Sequence, residues 1–158
     1  MTATVVPLDL TICGIGELNE LFETRKFDAI ISILDPSGNS GWFVKHNEKR
    51  AERLRRHCDT TLCMDFCDDD FVPYAAVVEI ITFVRQLPPG ARLLVHCAAG
   101  ISRSTAAALI ALREHGVDYE GALAEVLRVR DIAQPNAMML LLYKRFVRNA
   151  EITNELNE

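Results

Sequence analysis

The chain reads as an α/β fold, one domain with a mostly parallel twisted sheet and helices on both faces. Two observations predict it. Short aliphatic and β-branched runs near residues 10–13, 29–34, 62–66 and 93–97 alternate with helical patterns. A length of 158 residues, 49% hydrophobic and 25% charged, gives room for one sizeable core.

The elements follow in order. Leu10-Thr11-Ile12-Cys13 is the first strand, and Gly16 to Lys26 predicts a helix with Leu18, Leu21 and Phe22 on one face. Ala29 to Leu34 is the second strand. Pro36 to Ser40 reads as a loop, and Trp42 to His57 is rich in charge and turns helical towards its end. Leu62, Met64 and Phe66 alternate as a third strand that stops at Cys67. Pro73 suits the first turn of a helix reaching Leu87, with Val77, Ile80, Ile81, Val84 and Leu87 on one face. Pro88-Pro89-Gly90 ends it before the fourth strand, Leu93 to Cys97.

Three helical segments come next. Ala106 to His115 is small and apolar, as a central buried helix would be, and Gly116 closes it. Ala122, Leu123, Val126 and Leu127 mark the second, and Met139, Leu142, Tyr143 and Phe146 the third. Residues 151–158 are polar and acidic, and are expected to fray. The sequence carries no linker, repeat or low-complexity segment, so residues 1–158 read as one domain.

The chemistry lies between the fourth strand and the central helix, in His96-Cys97-Ala98-Ala99-Gly100-Ile101-Ser102-Arg103-Ser104. A thiol with an ordinary pKa near 8.5 is mostly protonated at neutral pH, so a nucleophilic cysteine needs help. The start of a helix supplies it through unpaired N–H groups and the helix dipole. Ala98, Ala99, Gly100, Ile101, Ser102 and Arg103 can curl around Cys97 with their N–H groups inward, as an anion nest. Gly100 allows a positive φ or a close backbone approach. Arg103 offers a planar fork that grips two phosphate oxygens at once. The Ser104 hydroxyl, near the sulfur, can stabilise a departing thiolate. An inert core cysteine would need neither the glycine nor the arginine at these offsets.

His-Cys-x-x-Gly-x-x-Arg-Ser, as it stands at residues 96–104, resembles the signature of the cysteine-dependent protein tyrosine phosphatases. Gly100-Ile-Ser-Arg-Ser-Thr-Ala looks most like the dual-specificity branch and its small bacterial relatives. The resemblance implies a phosphotyrosine protein phosphatase II-like fold and a two-step hydrolysis through a phosphocysteine, with no metal and no cofactor. It also implies a general acid on the loop after the strand that precedes the pre-signature helix. Aligning Leu62-x-Met64-x-Phe66 as that strand puts Asp68 first past its end; Asp69 is the alternative, with Asp65 and Asp70 further candidates. Adjacent aspartates can also serve only as a solvated loop capping the helix at Pro73.

His96 and Cys97 point to opposite faces of a strand, so His96 is given a structural role, hydrogen-bonding the loop backbone. His46, His57 and His115 carry no motif and read as surface residues. Arg130-Asp131-Ile132-Ala133-Gln134-Pro135-Asn136 resembles the family's loop after the helices, where a Pro-Asn pair opens the last helix; the N-cap is the sufficient role for Asn136, with a supporting contact to the phosphate loop as the alternative.

Seventeen basic against 22 acidic residues give a net charge of −5, which argues against nucleic acid or anionic membranes as partners. No apolar run approaches the roughly 18 residues of a membrane span. The N-terminus shows no signal core, so a cytoplasmic location is expected. Cys13, Cys58, Cys63, Cys67 and Cys97 are odd in number and fit a reducing compartment. The spacing of Cys58, Cys63 and Cys67 is not that of a zinc knuckle. Any of those three is a candidate to form a protective disulfide with an oxidised Cys97.

Family members that act on inositol phosphates often carry lysine inside the loop, whereas Ala98, Ala99, Ile101 and Ser102 are uncharged. The expected substrate is therefore a phosphorylated protein, phosphotyrosine first and phosphothreonine second, or a small phosphomonoester. A phosphate-binding module without catalysis and a sulfur-transfer enzyme are the alternatives.

Overall fold

Strands β1 (Asp9–Gly14), β2 (Ala29–Leu34), β3 (Thr61–Asp65) and β4 (Arg92–Cys97) form a parallel sheet in the order β1-β4-β2-β3. The computed structural model describes residues 7–36 and 41–158. The loop expected at Pro36–Ser40 lies outside the described residues from position 37 on. Each strand falls within about a residue of the run that predicts it, because buried parallel strands read as near-continuous apolar runs.

The helices are α1 (Leu18–Thr24), entered through a 3₁₀ turn at Ile15–Glu17, α2 (Gly41–His57), α3 (Tyr74–Arg85), α4 (Arg103–Glu114), α5 (Tyr119–Val129) and α6 (Ala137–Leu156). α2 is helical from Gly41 onward, not only towards its end.

Alternation along the strands builds a core on each face. Leu10, Ile12, Ala29, Ile31, Ile33, Leu93, Val95 and Cys97 pack with residues of α3, α4, α5 and α6. Cys13, Ile30 and Leu94 face the other way, against Leu18 of α1, Phe27, and Leu54 of α2. α4 is the central helix the alanine-rich segment predicts. Every residue from Arg103 to Leu112 is buried, and Ala106, Ala107, Ala108 and Ala111 leave room for close packing.

The helices that follow β1 and β2 lie on one face, and those that follow β3 and β4 lie on the other. β4 sits between β1 and β2, so its carboxyl end opens at a crevice where chains depart to opposite sides. Cys97 is its last residue.

One expectation is corrected, that of His115 as a surface residue. Residues 151–156 continue α6, since the stretch after Arg148 contains no glycine or proline to stop it and the Thr153 hydroxyl bonds back to Asn149 O at 2.9 Å. Their side chains are all exposed. His115 is only partly exposed, because its Nε2–H donates to Val84 O at 2.7 Å and ties α4 to α3. His57 is exposed and stacks on Phe22; the side chain of His46 lies outside the described set. Among the described residues no helix is long and apolar enough to cross a membrane.

Candidate active site

The turn from β4 into α4 wraps around the Cys97 sulfur. Gly100 takes φ +70°, and a Cβ there would sit 2.5 Å from the Cys13 carbonyl carbon, so the turn presses directly on β1. Outward-facing carbonyls all find donors. Ala98 O accepts from Ile15 N–H at 3.0 Å, and Ile101 O accepts from Gln134 N–H at 2.8 Å. Ala99 O and Gly100 O accept from Arg130 NH2 and Nε at 3.1 and 3.0 Å. Ser102 O accepts from Asn136 N–H at 3.1 Å. With the carbonyls held outside, N–H groups turn inward, and that of Gly100 lies 3.2 Å from Cys97 Sγ.

Cys97 is 2% exposed. Burial pushes its thiol up, but the Ser104 hydroxyl, 3.1 Å from Sγ, and the N–H groups of Ser104, Gly100 and Ile101 outweigh it and hold the pKa below the ordinary value. The site therefore stabilises a thiolate.

Arg103 is 4% exposed at the first turn of α4. Its NH1 donates to Asp35 Oδ1 at 2.7 Å and to Phe66 O at 2.6 Å. Its Nε is buried and has no hydrogen-bond partner. A buried guanidinium donor is costly to leave unmade, and a bound oxyanion would satisfy it.

Of the four aspartates, Asp68 is the one joined to the loop. Its Oδ1 accepts from the Ser102 hydroxyl at 2.5 Å and from Asn136 Nδ2 at 2.9 Å. Asp69 turns back to accept from Phe71 N–H at 2.8 Å, Asp65 pairs with Arg50 at 2.8 Å, and Asp70 is exposed. Asn136 is also the N-cap of α6, its Oδ1 accepting from Met139 N–H at 2.9 Å.

His96 is fully buried, and burial lowers its pKa to about 4, so the ring is neutral. Its Nδ1–H donates to Cys97 O at 3.3 Å, on the side of the sheet away from the Cys97 side chain.

No known family profile matches the chain. Over 48 residues, 30% of this chain, it is 48% identical to the mouse protein phosphatase Slingshot homolog 3, and the match spans 7% of that protein's length. The three-dimensional likeness extends much further. Human DUSP28 shares 18% identity at a TM-score of 0.59, over 94% of this chain and 97% of that one. The human tyrosine phosphatase-like serine/threonine/tyrosine-interacting protein shares 21% identity at 0.60, over 90% and 93%. The fold is that of the cysteine-dependent phosphatases. Cydia pomonella PTP-2 phosphatase has it too, at 19% identity and a TM-score of 0.59, over 86% of this chain and 84% of that one.

Within this phosphatase fold, two of the cysteines suggested as partners for Cys97 lie out of reach. Cys63 is level with Ser32, which is level with His96, so it sits two strands from β4 and on the face opposite the Cys97 side chain. Cys58 precedes the amino end of β3, at the far edge of the sheet from the loop, in the α1–α2 core. Cys67, exposed and next to Asp68, remains at the rim.

Two residues that hold the turn from β4 into α4 are not among the sequence candidates. Asp35 holds Arg103, and the only local signal was an acidic residue first past a strand end. Arg130 opens the segment whose resemblance to the family the sequence shows, but its hold on two loop carbonyls 30 and 31 residues upstream is given only by the fold.

Proposed function

We propose that the chain is a phosphomonoester hydrolase acting on phosphorylated proteins, phosphotyrosine first and phosphothreonine second, through a phosphocysteine on Cys97. The observation that carries this reading is the buried, unpartnered Arg103 Nε beside a thiol held below its ordinary pKa. Together they are half of an ion pair with a phosphate dianion and a nucleophile to attack it.

In the first step the Cys97 thiolate forms the S–P bond as the P–O bond to the leaving group breaks. Asp68 gives its proton to the departing oxygen. In the second step water attacks phosphorus and Asp68 takes its proton. The S–P bond breaks, and the thiolate returns to the Ser104 hydroxyl. Arg103, with NH1 already held by Asp35 and Phe66 O, turns its remaining edge to the equatorial oxygens, and the loop N–H groups take the charge that shifts between them. Ala98, Ala99, Ile101 and Ser102 add no cation, which suits a singly phosphorylated side chain better than a polyphosphate. A cytoplasmic location suits five free thiols, one of which must stay reduced to act.

A second reading is a phosphate-binding module that does not turn over, and it is favoured by the likeness to a protein described as phosphatase-like and interacting. Hydrolysis of para-nitrophenyl phosphate with chelator present separates the two. Vanadate-sensitive activity that vanishes in Cys97→Ser supports the hydrolase. A folded, reduced wild type that binds phosphate without hydrolysing the ester supports the module.

A further inference from the structure

Arg130 stands outside the phosphate loop, between the loop and the 3₁₀ turn after β1. Its Nε donates to Gly100 O at 3.0 Å and its NH2 to Ala99 O at 3.1 Å. NH1 and NH2 also pair with Glu17 Oε1 and Oε2 at 2.8 and 2.9 Å. Glu17 Oε2 in turn accepts from Gly14 N–H at 2.7 Å, which ties the assembly to the end of β1. The Arg130 side chain is 17% exposed, and its charge is matched by Glu17. It therefore brings little net charge to the pocket; what it brings is two donors at a fixed angle.

A trans peptide is planar, with its C=O and the following N–H pointing in opposite directions. Holding Ala99 O outward thus points Gly100 N–H inward, and holding Gly100 O outward points Ile101 N–H inward. Both of those N–H groups act on Cys97 Sγ.

We propose that Arg130 is a positioning residue: its fork fixes the two peptide planes of the loop whose N–H groups face the Cys97 sulfur and the phosphate oxygens. This rests on the reading of Cys97 as a phosphate-directed nucleophile. Arg103 with its Asp35 partner and the Arg130–Glu17 pair are charged groups packed around the loop, and Asp68 faces it through Ser102; burial pushes the Cys13 thiol of β1 up to about 12, and His96 beneath is neutral.

The test compares wild type with Arg130→Lys and Arg130→Ala. Lysine keeps the charge and can reach Glu17, but it cannot span both carbonyls. Three quantities are read: the pH dependence of iodoacetamide alkylation at Cys97, followed by peptide mass; inhibition by vanadate; and the melting temperature. Arg130→Lys is expected to melt near wild type, raise the thiol pKa by about one unit, and weaken vanadate about tenfold. A folded Arg130→Lys with wild-type thiol pKa and vanadate affinity overturns the proposal, because charge alone then suffices. Alkylation needs no turnover. A chain that hydrolyses nothing yet shows the thiol shift would end the phosphatase reading and leave this one standing.

Discussion

At Cys97 two opposed effects act on one sulfur, desolvation raising the thiol pKa and hydrogen bonds from the loop and Ser104 lowering it. The second wins, so the thiolate is populated at lower pH than for a free cysteine. Removing the Ser104 hydroxyl removes the largest of the lowering contributions. Ser104→Ala is expected to move the acid limb of kcat/KM to higher pH by about one unit, since a hydrogen bond to a charged group is worth about 1.5–3 kcal/mol before the loop relaxes. A pH–rate profile checks it, and an unmoved limb would leave the loop N–H groups as the sole source of the shift. Asp68→Ala is expected to lower kcat by about 10²-fold or more with little change in KM, while Asp69→Ala, whose carboxylate caps its own turn, stays near wild type. If the two results exchange, the acid moves by one residue.

The start of α6 is set by a residue that also holds the candidate site. Asn136 starts α6 through Oδ1 and holds Asp68 through Nδ2. Asn136→Asp keeps an acceptor for the cap and turns the donor into a second carboxylate oxygen. It is expected to hold helix stability within about 0.5 kcal/mol at neutral pH, yet to cut kcat, as read by melting and steady-state kinetics on the same sample. A parallel loss of both would make Asn136 a cap and nothing more.

Gly100 is the corresponding device between β4 and α4. Gly100→Ala must both adopt φ +70° and displace β1 backbone at 2.5–2.7 Å. A destabilisation of about 1–3 kcal/mol with loss of thiol activation is expected, measured by denaturant unfolding and by alkylation. β1, β2 and β4 were legible as short aliphatic runs closed by turn residues, and β3 by the alternation of Leu62, Met64 and Phe66. The full length of α2 was not, because a charged segment carries no apolar period to mark where the helix begins.

Across the whole molecule, burial of His96 makes the fold sensitive to acid. Its folded pKa near 4 lies below the ordinary value of 6.5, so the unfolded chain takes up the proton first as pH falls. The stability this represents is complete above about pH 6.5 and is lost as pH falls towards 4. His96→Gln should flatten the fall in melting temperature between neutral pH and pH 5, and an unchanged slope would assign acid sensitivity to other groups.

The nine residues from His96 to Ser104, and the strand and helix that flank them, were determined by sequence alone, because an anion nest is a local structure whose signals lie within one turn of the cysteine. Asp68 was narrowed to a short acidic run by its place after β3, and Asn136 by its place before α6. Which carboxylate meets Ser102, which acid holds Arg103, and which arginine holds the Ala99 and Gly100 carbonyls depend on contacts 30 to 68 residues apart in the chain. Such pairings carry no periodicity and no fixed spacing. They exist because the four strands run parallel, which brings all their carboxyl ends to one edge, and because the order β1-β4-β2-β3 sets β4 between β1 and β2.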